Sequence, residues 1–364
     1  MDIEAARKSP KAYLNLLWIL LQKKQGFRKL YGYPFLLTLD PSSVCQLHCP
    51  FCPTGLREGH RARTLMSLEF FKRIMDELGP YLFRLDLYNW GEPLLNKHFV
   101  DMVRYAKQSN IWVCTSTNLS LELSDHQVGD LVTSGLDKLI ISLDGVTEEK
   151  YLKYRFDGNF DLVMENMRAI VRKKRELGLD RPAVVWQFLV FRHNEEDIET
   201  AKRMAAEIGV ELYLAPPFVR QEEPWKEMTP TLEEFNLYGN HAQEGAKKVV
   251  APTLDAKPKR CDWLYASAAI NANGSVSPCC AIWEEKDDFG NLQGGDFKKL
   301  YNNKMYQFAR ASFLRRTKSE IDIICNRCPV EGQQMMLLPH LPQIIKAANP
   351  GMYLILRRIK EIIY

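Results

Sequence analysis

The sequence has no apolar run of the roughly 18 residues that a transmembrane helix needs. Its first residues, Met1 to Glu4, include acidic side chains where a secretory signal carries basic ones. The formal net charge is only +4 over 364 residues, whereas nucleic-acid binding needs a clustered basic stripe. No internal repeat is visible. These absences exclude a repeat array and favour a cytoplasmic globular protein with no nucleic-acid partner.

Cysteine, by contrast, is plentiful and clustered. The chain has nine cysteines, and Cys45, Cys49 and Cys52 follow one another with the spacing C-x3-C-x2-C. In a cytosolic chain, clustered thiols indicate metal binding rather than disulfides. Three thiolates on one loop can face one cluster, and they are one ligand short of a closed 4Fe–4S site. A zinc knuckle is the alternative, although zinc sites usually pair two C-x2-C elements.

The middle of the chain alternates strand-like and helix-like patterns. Six apolar runs bounded by turn residues predict strands at Pro34–Leu39, Phe83–Tyr88, Trp112–Thr115, Lys138–Ser142, Ala183–Val190 and Val210–Leu214. Between them, helical periodicity predicts helices at Leu68–Leu78, Lys97–Gln108, Ser124–Ser134, Asp161–Leu177 and Glu195–Ile208. This order predicts the α/β class, with a parallel sheet. Six strands fit a partial (β/α)6 barrel of the TIM type.

Polar motifs follow the predicted strands, at the edge where parallel β/α proteins collect their chemistry. The cysteine triplet follows the first strand, and polar groups follow the next three. These groups are Trp90-Gly91-Glu92-Pro93, Ser116-Thr117-Asn118 and Ser142-Leu143-Asp144-Gly145. Each motif alone is weak, because polar residues at strand ends commonly form turns. Their order along the chain makes them a joint signal.

Together, the triplet and these motifs resemble the radical S-adenosylmethionine (radical SAM) superfamily, whose fold is also a partial barrel. The resemblance implies a 4Fe–4S cluster on Cys45, Cys49 and Cys52, with SAM chelating the open iron. It also implies reductive cleavage of SAM to a 5′-deoxyadenosyl radical that abstracts a hydrogen atom from the substrate. A flavodoxin- or ferredoxin-like electron donor is therefore an expected partner.

The same resemblance implies which residues contact SAM. Glu92 matches the Gly-Gly-Glu-Pro motif of the superfamily, although Trp90 replaces the first glycine. Arg155 matches the arginine of a Ser-x-Asp-Gly…Tyr-x-x-x-Arg element and could pair with a carboxylate. The complete predicted set is Phe51, Gly91, Glu92, Thr117, Asn118, Ser142, Asp144 and Arg155. His48 lies in the cluster loop but is not expected to be a ligand, and no catalytic residue for the substrate chemistry is identified.

A second cysteine set begins at Cys261. Cys261, Gly274 and Cys279 have the spacing C-x12-G-x4-C, and Cys325 and Cys328 form a later C-x2-C pair. This pattern resembles the SPASM/twitch auxiliary-cluster domain, and in its shorter twitch form it implies a second 4Fe–4S cluster held by these four cysteines. Asn-Gly at 273–274 predicts a hairpin with a type I′ turn. The alternative is a zinc ribbon. Cys280 is not expected to be a ligand, and Cys114 is expected to be a buried apolar residue.

These patterns divide the chain into five segments. The predicted segments are an apolar and basic helical extension (1–33), the barrel (34–219), a linker with a helix at Thr231–Lys248 (220–260), the twitch-like domain, a β-hairpin plus helix (261–333), and an amphipathic C-terminal helix (334–364). Tyr13–Leu21 and Met352–Tyr364 are apolar beside basic residues. We expect both to pack on the protein or on a second subunit; contact with a membrane surface or a lipid is the alternative.

The substrate is the least determined property. The resemblance to twitch enzymes favours oxidation of an alcohol on a small molecule, such as a sugar, a cyclitol or a lipid-linked compound. The alternative is a maturase that modifies a peptide or protein. A third possibility, from a different class, is an iron–sulfur electron carrier or scaffold without catalysis. The retained residues of the SAM pocket argue against this last possibility.

Overall fold

Six parallel strands form the central sheet of the computed structural model, which describes residues 8–58, 61–220, 223–237, 261–315 and 321–328. The strands are β1 (Leu36–Leu39), β2 (Arg84–Asp86), β3 (Trp112–Thr117), β4 (Lys138–Ser142), β5 (Ala183–Leu189) and β6 (Glu211–Ala215). They pair in chain order and all in parallel. Each observed boundary lies within two residues of the predicted one. The α/β class and the partial barrel are confirmed.

Helices connect the strands and cover the outer face of the sheet. They are α1 (Pro10–Gln25), α2 (Leu68–Leu78), α3 (Phe99–Gln108), α4 (Asp125–Thr133), α5 (Glu148–Leu152), α6 (Phe160–Glu176) and α7 (Ile198–Ile208), followed by α8 (Trp263–Ala266), α9 (Phe297–Leu300) and α10 (Lys304–Arg315). Local sequence fixes their ends. Ser124 and Gln127 form a capping box at α4, and Gly209 ends α7 in the left-handed conformation.

A hairpin from the second cysteine region extends the same sheet. Strand β7 (Ala269–Ile270) pairs in parallel with β1, and β8 (Val276–Ser277) pairs antiparallel with β7. The sheet order is therefore β6-β5-β4-β3-β2-β1-β7-β8. The predicted hairpin is confirmed, but its turn type is wrong. Only Gly274 has a positive φ, of 82°, and its amide donates to the Asn271 carbonyl, so one residue and not two takes the left-handed conformation.

Helix α1 contains the apolar segment Tyr13–Leu21. It buries Tyr13, Leu16 and Ile19 against the body of the protein, while Leu14 stays 67% exposed. In the described ranges, no helix combines the length and the apolarity needed to cross a bilayer. The predicted C-terminal helix lies outside the described residues.

The predicted linker helix at Thr231–Lys248 is wrong at its start. Glu233–Phe235 forms a 3-10 turn, and Asn236 after it is extended. Consecutive acidic residues in a segment with little apolar periodicity support a turn as readily as a helix. Residues 238–260 lie outside the described ranges, so the predicted segment boundaries remain predictions.

Candidate functional site

The cysteine triplet lies in the loop after β1, at the carboxyl edge of the sheet. Cys49 is buried, Cys45 and Cys52 are partly buried, and they pack with Phe51, Tyr154 and other apolar side chains. Burial raises the pKa of Cys45 to about 12, and the nearby Cys49 and Cys52 contribute to that rise. The three thiols are thus close together in an apolar pocket. A bound metal would deprotonate them and compensate their charge, so their chemistry fits an iron–sulfur cluster.

Arg155 links the triplet to the end of β4. Its Nε donates to Asp144 Oδ2 at 2.6 Å, and its Nη1 lies 3.9 Å from Cys49 Sγ. Asp144 is fully buried and also accepts from the Leu189 amide at 2.7 Å. Burial raises the pKa of Asp144, and the Arg155 charge opposes that rise. Asp144 thus holds the guanidinium so that its Nη1 lies beside Cys49, a proposed cluster ligand.

Gly91 and Glu92 bring the motif after β2 against the cluster loop. A Cβ on Gly91 would lie 1.7 Å from the Ser42 carbonyl oxygen, so only glycine fits there. The Glu92 carboxylate is buried and accepts from Thr117 Oγ1 at 2.7 Å and from the Asn118 amide at 2.8 Å. Glu92 therefore organises the end of β3 as well as the motif itself.

The remaining predicted SAM contacts surround this point. Asn118 Nδ2 lies 3.6 Å from Cys45 Sγ, and Ser142 lies within 3.4 Å of Ser116 at the neighbouring strand end. Phe51 packs against both Tyr154 and Phe191. The eight predicted SAM residues lie on the cluster loop, at the carboxyl ends of β2 to β4 and just beyond, and their contact with SAM remains a proposal.

His48 and Cys114 lie in different surroundings, and their exclusion as cluster ligands remains a prediction. His48 Nδ1 lies 2.5 Å from Asp157 Oδ2 on the exposed side of the loop. Cys114 is fully buried in the main apolar core.

The concave side of β2 carries polar residues that the sequence motifs do not include. Leu85 and Leu87 are fully buried, so the alternate residues Arg84, Asp86 and Tyr88 face the interior of the barrel. Arg84 Nε donates to Asp86 Oδ1 at 2.7 Å. The polar–apolar alternation in Arg84 to Tyr88 is the sequence signal that could have identified them.

Cys280 lies near this interior group and also near Cys279 of the second cysteine site. Burial raises its pKa to about 12, and Asp86 contributes to that rise. Burial likewise raises the pKa of Tyr88, and among the groups that add to this rise is Cys280. Cys279 and Cys280 follow the end of β8 in a turn, and the exclusion of Cys280 from the second cysteine site remains a prediction.

The other four cysteines of the second region lie close to one another. Burial raises the pKa of Cys279 well above its ordinary value, and the neighbouring thiols that add to this rise are Cys280, Cys325 and Cys261. The pKa of Cys325 is raised in the same way, by burial and then by Cys261 and Cys328. Four partly buried thiols form a soft donor set that suits an iron–sulfur cluster or zinc.

Neither cysteine set converges on one point. Among the described residues, no three His, Cys, Asp or Glu side chains meet where a single ion would bind. The thiolates of a 4Fe–4S cluster bind different irons and do not need such a point. The observed arrangement is compatible with that chemistry.

An ion pair joins the two cysteine regions. Arg61, which follows the cluster loop, donates through Nη1 and Nη2 to the Asp288 carboxylate at 2.7 and 3.2 Å. Arg61 also donates to the Ser275 hydroxyl at 2.7 Å and to the Trp283 carbonyl at 3.2 Å. Both members of the pair are nearly inaccessible to solvent. The cluster loop is therefore fixed against the hairpin that carries the second site.

Comparison with known proteins identifies the class. Residues 39–205 match the model of the radical SAM superfamily, and residues 261–329 match the SPASM model, an iron–sulfur cluster-binding domain. The chain belongs to the radical SAM superfamily and carries a SPASM iron–sulfur domain. Its cofactors are SAM and a SAM-binding 4Fe–4S cluster, and its SPASM domain implies auxiliary iron–sulfur clusters.

Individual relatives have low sequence identity to this chain, but each matches most of its length. A tungsten-containing aldehyde ferredoxin oxidoreductase cofactor-modifying protein of Pyrococcus furiosus is 26% identical over 80% of this chain and 86% of its own. A PqqA peptide cyclase of Rhodopseudomonas palustris is 29% identical over 78% and 75%. A mycofactocin maturase of Mycolicibacterium smegmatis is 27% identical over 77% and 73%. The crystal structure of Streptococcus suis SuiB matches with a TM-score of 0.60 and 15% identity, covering 82% of this chain and 72% of that one, which supports the fold.

Proposed function

We propose that this protein is a radical SAM maturase that modifies a side chain of a peptide or protein. One observation carries the proposal. The three-cysteine loop and the four-cysteine region are attached to adjacent strands, β1 and β7, of one sheet. A cluster with one open iron would thus lie beside a second cluster that the chain would ligate fully. This arrangement suits hydrogen abstraction followed by removal of an electron from the substrate radical.

Different residues of the chain would have different roles in the proposed reaction. When bound, the first cluster and SAM supply a 5′-deoxyadenosyl radical. Cys45, Cys49 and Cys52 would hold the cluster, and Arg155, oriented by Asp144, would place a positive charge beside it. Glu92 holds Thr117 and the Asn118 amide at the mouth of the pocket. The apolar side chains around Phe51 exclude water, which protects a reactive radical.

The substrate class rests on the relatives. Two of the three that are described above bear the names of a peptide cyclase and a maturase, and this favours a peptide over the small-molecule alcohol expected from the sequence. The interior of the barrel supports the same choice. Arg84, Asp86 and Tyr88 offer ionic and hydrogen-bonding partners to a polar chain. The auxiliary cluster would be held by Cys261, Cys279, Cys325 and Cys328.

Modification of a protein-bound cofactor is the second candidate function. The Pyrococcus furiosus relative is named for modifying the cofactor of an oxidoreductase, and it is matched over the largest share of the chain among the three. The two candidate functions differ in the molecule that the enzyme modifies. A peptide would change mass in the first, and a small organic molecule would change mass in the second. One experiment can therefore separate them.

The test is co-expression of the full chain with each short peptide encoded by the neighbouring genes, followed by mass spectrometry of the peptides. We expect one peptide to lose hydrogen, and a Cys45→Ala/Cys49→Ala/Cys52→Ala variant to leave it unchanged. In parallel, reconstituted enzyme with SAM and dithionite should form 5′-deoxyadenosine. Unmodified peptides together with a change in mass of a small organic molecule would contradict the proposal, in favour of cofactor modification or small-molecule oxidation.

A further inference from the structure

Arg310 on α10 is a fully buried guanidinium without a carboxylate partner in the described part of the chain. Its Nε donates to the Leu264 carbonyl at 2.9 Å, and its Nη1 donates to the Arg28 carbonyl at 2.9 Å. Its Nη2 has no hydrogen-bond partner among the described residues. Arginine stays protonated in proteins, so this is a buried cation, which is unfavourable unless a negative charge compensates it.

Aromatic rings are the closest neighbours of this cation. The guanidinium carbon lies 4.6 Å from the ring centre of Tyr301, 5.1 Å from that of Tyr306 and 5.9 Å from that of Tyr265. Ring faces attract a cation but neutralise only part of its charge. Burial lowers the pKa of Arg310 and the three phenols oppose that shift. The three tyrosine rings therefore stabilise the Arg310 cation in part but do not neutralise its charge.

The same cluster of rings lies against the second cysteine site. Helix α10 packs against α8, which begins two residues after Cys261, and against the 3-10 turn Ile324–Arg327, which contains Cys325. The Leu264 carbonyl that Arg310 binds lies in α8, three residues after Cys261. Burial raises the pKa of Tyr301 to about 12, and Cys261 contributes to that rise. Arg310 thus lies on a helix that packs against the turn containing Cys325 and against the short helix that follows Cys261.

We propose that Arg310 is the counter-charge of the auxiliary iron–sulfur cluster and raises its reduction potential. A cluster with four thiolate ligands is negatively charged, and each added electron increases that charge. A fixed cation nearby stabilises the reduced form more than the oxidised form. The auxiliary cluster becomes a better electron acceptor, which suits its place in the proposed function on which this inference rests. Arg310 would act through its fixed positive charge, and it is not a cluster ligand.

The test uses the full chain with Cys45→Ala/Cys49→Ala/Cys52→Ala, so that any remaining iron belongs to the auxiliary site. EPR-monitored redox titration gives the midpoint potential. We expect Arg310→Met to shift the reduction equilibrium at least tenfold toward the oxidised form, a fall of ~59 mV for a one-electron couple. The midpoint potential of Arg310→Lys should stay closer to that of the triple-alanine background. The control variant Tyr301→Phe should have the same midpoint potential as the background.

The possible failures are distinguishable. Iron that is retained with the same potential in Arg310→Met and in the background would refute the role of Arg310 alone. An equal shift in Tyr301→Phe would also refute it, because packing and not charge would then set the potential. Should Arg310→Met lose its iron, Arg310→Gln keeps a donor for the Leu264 carbonyl and gives the same comparison. Absence of iron from the background itself would refute the four-cysteine ligand set and, with it, this inference.

Discussion

Arg61 and Asp288 are 227 residues apart in sequence, and their side chains form a two-fold hydrogen-bonded ion pair with N–O distances of 2.7 and 3.2 Å. The pair connects the cluster loop to the segment after β8. Because both side chains are almost completely buried, removal of either leaves the other charge unpaired inside the protein.

The first prediction concerns this pair. Arg61→Met should lower the free energy of unfolding by about 3–5 kcal/mol, since it leaves the Asp288 carboxylate buried without its partner. The measurement is urea denaturation of metal-free protein, with the exposed Arg172→Met as the matched control. In a double-mutant cycle, the loss in Arg61→Met/Asp288→Asn should be clearly smaller than the sum of the single losses. Additive losses would mean that the pair contributes no coupling.

The second prediction uses two glycines. Gly91→Ala should destabilise the protein by about 3 kcal/mol or more and impair cluster loading, because the new Cβ would overlap the Ser42 carbonyl. Gly129 lies inside α4, and a Cβ added there would have no atom within 4 Å, so Gly129→Ala should be stabilising by about 0.5–1 kcal/mol. Thermal unfolding and iron content of the two variants provide the measurement. Similar behaviour of both variants would be evidence against the close approach at Gly91.

The third prediction separates two cysteines of the second region. Cys261→Ala should reduce the iron content from about eight to about four atoms per chain, as expected for the loss of one of two 4Fe–4S clusters. Cys280→Ala should leave the iron content unchanged, because Cys280 is not one of the four proposed ligands and its thiol also lies near Asp86 of β2. Iron and sulfide analysis of anaerobically reconstituted protein is the measurement. Stoichiometric zinc that disappears in Cys261→Ala would favour the zinc-ribbon alternative.

The fourth prediction concerns Arg155. Arg155→Met should slow 5′-deoxyadenosine formation at least about tenfold, because it removes the charge beside Cys49 and leaves Asp144 unpaired. Arg155→Lys should recover only part of the activity, since lysine cannot reproduce the planar guanidinium geometry. The first-cluster EPR signal should shift on addition of SAM to the parent protein and less so in Arg155→Met. Unchanged SAM binding and cleavage would remove Arg155 from the proposed SAM site.

The fifth prediction concerns pH. Asp40 is fully buried at the end of β1, and burial raises its pKa from 3.8 to about 7. The folded protein therefore binds more protons than the unfolded chain between these values, so this group's contribution to stability is lost as the pH rises through that window. The total loss is up to roughly 4 kcal/mol. Asp40→Asn removes the ionisation.

The measurement is the free energy of unfolding at pH 5 and at pH 8 in the parent protein and in Asp40→Asn. We expect the variant to gain stability relative to the parent at pH 8 and to gain less at pH 5. A constant difference between the two proteins at both pH values would show that Asp40 does not titrate in this window.

Local pattern is sufficient to locate most of the barrel. The strand Lys138–Ser142 and the helix Leu68–Leu78 agree with their predicted bounds to the residue, because an apolar run between turn residues and a 3.6-residue period are properties of neighbouring residues. Spacing also identifies the thiols of both cysteine sets. The turn at Asn273-Gly274 differs from the type I′ that Asn-Gly favours, because the hydrogen bonds of the hairpin select a turn in which Asn273 keeps a negative φ.

The relationships that local pattern could not reveal are long-range. The pairing of β7 with β1 joins Thr38 to Ala269, and no short-range rule specifies which edge of the sheet a later hairpin takes. The burial of Arg310 is equally hidden, because an arginine in a helical period is usually exposed. Both features depend on the packed tertiary structure.

The pairing of β7 with β1 has a consequence for electron transfer. The loop with the triplet leaves from the end of β1, and the region with the four cysteines surrounds β7, so backbone hydrogen bonds and not a tether fix the separation of the two sites. Neighbouring strands are held about 4.8 Å apart, and rates of electron tunnelling fall steeply with distance. If the protein acts as proposed, the fold would keep the length of an electron path between the two sites nearly constant, whatever substrate lies in the barrel.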